Sequence, residues 1–109
     1  MNEEKNITQF RKGVLELCIL SVLAKQDAYV SDLIDVLKKS KLIVVEGTMY
    51  PLLMRLKNDG YLSYRWEESK SGPPRKYYRI SDEGKIYLSK LEEAWQEMLE
   101  TVNEIRNIT

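Results

Sequence analysis

Gly60 separates two kinds of pattern, and no other position constrains the fold as tightly. Before it, residues 46–59 carry apolar side chains at helical spacing. After it, Leu62-Ser-Tyr-Arg-Trp66 and Tyr77-Tyr-Arg-Ile80 alternate between apolar and polar, as half-covered strands do. Between the strands lies Gly72-Pro73-Pro74, with Lys70 on one side and Arg75-Lys76 on the other. Proline cannot donate to a ladder, so this segment is expected to project as a loop at the tip of a hairpin.

The remaining elements fall into place around that junction. A first helix is expected over Ile7 to Lys25, burying Phe10, Val14, Leu17, Cys18, Leu20 and Leu23. After the break at Gln26-Asp27-Ala28, a second runs from Tyr29 to Lys39, with Val30, Leu33, Ile34 and Leu37 inward. Lys41 to Val45 reads as an extended connection. The third helix docks Met49, Leu52, Leu53 and Leu56 on the first. Its opposite face carries Gly47, Pro51, Met54 and Asn58, flanked by Tyr50, Arg55 and Lys57. Pro51 is tolerated in an opening turn, which places the start near Gly47 or Thr48. Ser81 caps a last helix with Asp82 and Glu83 in its first turn. Along it Leu88, Leu91, Trp95, Met98, Val102 and Ile105 recur at spacings of three and four, the seam of a helix that seeks a partner.

A glycine-closed helix running into a basic-tipped hairpin is the sequence form of a winged helix-turn-helix. The fold class is therefore mainly α with a small β-hairpin: a winged helix-turn-helix domain over residues 1–80 and a C-terminal dimerisation helix over 81–109. In that architecture the third helix enters a groove of double-stranded DNA and the hairpin grips the backbone beside it. Thr48 and Tyr50 stand with free backbone N–H groups at the helix N-terminus, which attracts phosphate. Arg75 and Lys76 follow the wing tip, within reach of phosphates or a minor groove.

Charge distribution agrees with this reading. The 17 basic and 17 acidic residues cancel over the chain, but residues 70–80 hold four bases (Lys70, Arg75, Lys76, Arg79) and no acid. Residues 81–109 hold three bases against seven acids. A basic patch of the right shape outweighs a neutral average. The alternative is a winged-helix module that binds protein, which has no need of four uninterrupted bases. With no histidine, Ser-His, Cys-His and His-based metal sites are excluded, and no Gly-rich phosphate loop is present. An enzyme, a cofactor and a metal site are therefore not expected. Cys18 sits alone in an apolar run and reads as a structural thiol. No apolar run is long enough for a bilayer, and the polar, acidic start is no secretory signal, so a cytoplasmic location is the expectation.

Taken together, these stretches resemble the PadR-like transcriptional regulators, in the short subgroup with a single C-terminal helix. The resemblance is carried by Lys12-Gly-Val-Leu-Glu16, Glu46-Gly-Thr-Met-Tyr-Pro-Leu-Leu53, Arg55-Leu56, Gly60, Trp66-Glu-Glu-Ser69, Gly72-Pro-Pro-Arg-Lys-Tyr-Tyr-Arg79 and Asp82-Glu-Gly84. It implies a homodimeric repressor on a pseudo-palindromic promoter site, with some members released by phenolic acids or planar drugs. By position it implies DNA contacts from Thr48, Tyr50 and Arg55 in the recognition helix and from Lys70, Arg75 and Lys76 in the wing. Trp95 matches a tryptophan that stacks on planar aromatic effectors between subunits in multidrug-sensing members. Ser31 departs from the pattern, since many relatives carry a phosphate-contacting tyrosine there.

Overall fold

A computed structural model describes residues 2–108. Where one long N-terminal helix was expected there are two: α1 over Glu3–Lys12 and α2 over Leu15–Leu23. The chain turns at Val14 (φ −108, ψ 2), whose N–H bonds Arg11 O at 3.1 Å in a tightened turn. This turn takes α1 out of line with α2, and Phe10 is 84% exposed rather than in the core. α2 fulfils the central role, burying Leu15, Ile19, Leu20 and Leu23. Cys18 is half-buried on it, and burial pushes its thiol above the ordinary value, away from thiolate reactivity.

A two-residue strand, β1 (Ala28–Tyr29), leads into α3 (Val30–Lys39), which buries Val30, Leu33 and Leu37. The Asp32 carboxylate accepts from the Tyr29 N–H at 3.0 Å and ties down the start of α3. α4 follows over Glu46–Asn58, beginning earlier than the proline suggested. Pro51 is its sixth residue and leaves the Gly47 carbonyl without its i+4 donor. Gly47 is exposed, so that carbonyl is open to solvent. Met49, Leu53 and Leu56 form the buried face, with Leu52 half-buried beside them.

Gly60 ends α4 with φ 86: its N–H bonds Lys57 O at 3.0 Å, and the Tyr61 N–H bonds Leu56 O at 2.9 Å. The wing then forms from β2 (Leu62–Ser69) and β3 (Gly72–Ile80), and the antiparallel sheet has the order β1-β3-β2. Gly72-Pro73-Pro74 belongs to β3 and is not the expected tip loop; the turn is Lys70-Ser71. Glu67 pairs with Arg75 and Ser69 with Gly72, so the two prolines oppose the single residue Glu68. They occupy a β-bulge, where unpaired backbone is already the rule.

α5 spans Asp82–Arg106, about 37 Å of helix. Ser81 caps it, its hydroxyl oxygen accepting from the Gly84 N–H at 2.9 Å. Gly84 and Leu88 are buried in the same core as α2, so the first turns of α5 are integral to the domain that precedes them. Beyond Leu91, which packs at the core margin, Trp95, Met98, Leu99, Val102 and Ile105 are exposed along the helix.

Candidate nucleic-acid interface

The outward face of α4 carries Gly47, Pro51, Met54 and Asn58, as its periodicity predicts, with Tyr50 flanking it, and Tyr50 and Met54 are both exposed. Tyr50 opens onto a cleft of about 440 Å³ shared with Tyr29 and Ser31 from the start of α3, Glu46, and Trp66, Arg75 and Lys76 from the wing. Three elements thus meet around one concave surface. Pairing of Ala28 with Tyr78 and of Tyr29 with Tyr77 holds the base of the wing against α3.

In and beside the cleft the cations rest on aromatic rings. The Arg75 guanidinium lies 3.8 Å from the centroid of Tyr29, and its Nη2 donates to Ser31 Oγ at 3.3 Å. Lys76 Nζ is 4.5 Å from the Tyr64 ring and 5.5 Å from Trp66, its cross-strand partner. Lys57 approaches the same Tyr64 ring at 5.9 Å from α4. None of these three cations is in an ion pair among the described residues. A cation over a ring face keeps its charge and loses side-chain freedom, so it is already placed for an anion. Arg65 differs, because Glu67 at 2.8 Å and Asp27 at 3.6 Å neutralise it.

Of the six residues expected to meet DNA, Tyr50, Arg75 and Lys76 come together here, and Lys70 stands exposed at the wing turn. The other two lie elsewhere. Thr48 is half-buried and lines a separate groove with Ile7, Leu42 and Val45. Arg55 turns inward to the Glu16 carboxylate on α2. Tyr29, Tyr64 and Trp66 were missing from the expected set. Their signal was the strand register, which places Trp66 across from Lys76, together with an aromatic at the entry to α3. Among the described residues no three His, Cys, Asp or Glu side chains gather as metal ligands, and no helix is long and apolar enough to cross a membrane.

The family model of the PadR-like transcriptional regulators matches residues 19–90. The chain belongs to that family. A PadR-like transcription factor from Bacteroides fragilis is 56% identical over 93% of this chain and 98% of its own, with a TM-score of 0.78. A PadR family regulator from Eggerthella lenta is 31% identical over 97% and 93%, with a TM-score of 0.90. A third, from Bacillus cereus, is 34% identical over 93% and 99%, with a TM-score of 0.77. The winged-helix architecture and membership in the PadR-like family make this protein a DNA-binding transcriptional regulator rather than an enzyme.

Proposed function

We propose that this PadR-like protein is a homodimeric repressor that occupies a pseudo-palindromic site in double-stranded DNA, and that it works in the cytoplasm. The observation that carries the reading is the single cleft in which Tyr50 of α4, Ser31 of α3 and Arg75 and Lys76 of the wing converge. Arg75, Lys76, Lys70 and Lys57 bind backbone phosphates, with Ser31 supplying a hydroxyl beside Arg75. Tyr50 and Met54 approach base edges. Residues 1–80 form the reading part and 81–109 the pairing part, where Leu91, Trp95, Met98, Val102 and Ile105 face a second copy. Leu88 serves the core of its own chain.

Repression is relieved, on this reading, by a planar aromatic effector held between the two Trp95 side chains. Glu92, Glu93 and Glu97 surround that position and favour a neutral or cationic guest. Such a compound releases DNA only by preferring a dimer geometry that misaligns the two reading heads.

Fluorescence anisotropy with the DNA upstream of the gene, against a scrambled duplex across a salt series, tests the reading. Arg75→Ala and Lys76→Ala are expected to weaken binding to both duplexes and to flatten the salt dependence by a slope of about 1 per lost phosphate contact. Tyr50→Ala is expected to erode discrimination between the duplexes instead. Absence of binding to either duplex at low salt would overturn the proposal.

A further inference from the structure

α4 and α5 are fastened at two points, and Glu16 makes the second. The first fastening ties Ser81 to the backbone of Gly60 and Tyr61. Ser81 N–H donates to Tyr61 O at 3.0 Å, and Ser81 Oγ donates to Gly60 O at 2.7 Å. A Cβ on Gly84 would lie 2.1 Å from Tyr61 O, so the first turn of α5 presses on the chain leaving α4 with no room for a side chain. This fastening fixes where the two helices meet, and the burial of Leu88 holds α5 to the core, but neither supplies a directional bond farther along the two helices.

The second fastening lies farther along both helices. Arg55, five residues before Gly60 on α4, is paired through Nη2 with Glu16 Oε1. Tyr87, three residues beyond Gly84 on α5, donates its hydroxyl to Glu16 Oε2 at 2.7 Å. The Tyr87 ring stacks on Tyr61 at 4.1 Å with an interplanar angle of 8°, which joins the two fastenings to each other. Glu16 Oε1 is buried, and the side chain as a whole is 19% exposed. Burial first and the bond to Glu16 second together push the Tyr87 hydroxyl up to about 12, so it remains a donor at neutral pH. Each oxygen of one α2 carboxylate therefore holds a different helix.

We propose that Glu16 is a positioning residue for operator recognition: it sets the angle between the reading helix α4 and the pairing helix α5, and so the separation at which two reading helices meet DNA. This rests on the homodimer reading above. Stability alone does not call for such an arrangement. A partly buried ion pair against a core of Leu and Ile adds little over an apolar side chain of the same volume. What it adds is an ion pair to one helix and a directional hydrogen bond to the other.

The test uses full-length Glu16→Gln and Tyr87→Phe proteins, which keep the shape of each side chain and remove one arm of the bridge. Light scattering and thermal unfolding establish dimer and fold. Binding is then measured on duplexes carrying the half-sites mapped by footprinting, set at the native spacing and at one and two base pairs either side. The wild-type protein should bind the native spacing best. In both variants the preference for it should shrink about tenfold, the scale of one lost charge-assisted hydrogen bond, while a single half-site is bound nearly as before. Should Glu16→Gln fail to fold, Tyr87→Phe alone decides the matter. Equal loss at every spacing, or wild-type spacing preference in a folded variant, would overturn the inference and leave the dimer reading standing. A monomeric wild-type protein, or one indifferent to spacing, would overturn both.

Discussion

Lys41 and Gly60 do the same work with different side chains. Each sits in the left-handed region, at φ 67 and φ 86, and each closes a helix by the same pair of backbone bonds. For Lys41 these are its own N–H to Lys38 O at 2.8 Å and the Leu42 N–H to Leu37 O at 2.9 Å. A Cβ in that conformation costs roughly 1–2 kcal/mol, part of which glycine forfeits through a freer unfolded chain. Lys41→Gly is therefore expected to stabilise the fold by about 0.5–1 kcal/mol, raising Tm by a few degrees. An unchanged or lower Tm by circular dichroism would show that the lysine side chain contributes more than its backbone costs. Tyr87 yields a pH dependence whose direction follows from its environment. Its folded value of about 12 lies above the ordinary 10.0, so its contribution to stability is whole below pH 10 and lost as the pH rises through 12. Denaturant titrations from about pH 9 to 12 should show stability falling in the wild-type protein and falling less in Tyr87→Phe.

Among the elements, legibility followed the range of the interactions involved. α4 could be read from its own periodicity and its glycine stop, and α5 from Ser81 and the acids behind it, because spacing and caps lie within a few neighbouring residues. The break between α1 and α2 could not, since Gly13 keeps helical angles and the turn is made at Val14, a residue with no breaking signal. Pro73 and Pro74 were expected to end the ladder. Instead the strand gains a residue there, so the missing N–H groups fall where no bond is made. At the cleft, Arg75 and Lys76 were legible from the composition of the wing, and Tyr50 from its place flanking the outward face of α4. Arg55 has the same chemistry on paper, yet its partner Glu16 is 39 positions earlier in sequence. Only the packing of α2 against α4 shows that its charge is already engaged. The same limit applies to Leu88, whose place in the seam and in the core cannot be told apart by spacing.

The molecule as a whole is longer than its residue count suggests. Its radius of gyration is 16.0 Å, against about 13 Å for a compact chain of this size, and it measures 60 × 37 × 22 Å. The projecting part of α5 bears an apolar stripe that nothing among the described residues covers. Met98→Glu with Val102→Glu should give a folded monomer, because neither residue touches the core, whereas a two-fold contact would gather four like charges. Light scattering and circular dichroism check this, and a dimer persisting at micromolar concentration would place the contact elsewhere. The little strand β1 carries a different consequence. It joins Ala28 to Tyr78 across α3, α4 and β2, while α2 and α5 pack together across almost the whole chain. Closing so long a loop is entropically dearer than zipping the neighbouring β2–β3 hairpin, so this seam is expected to form after it. A copy interrupted between β1 and β3 lacks both the central strand of its sheet and the cover for α2, so the basic hairpin and the apolar stripe of α5 are lost together.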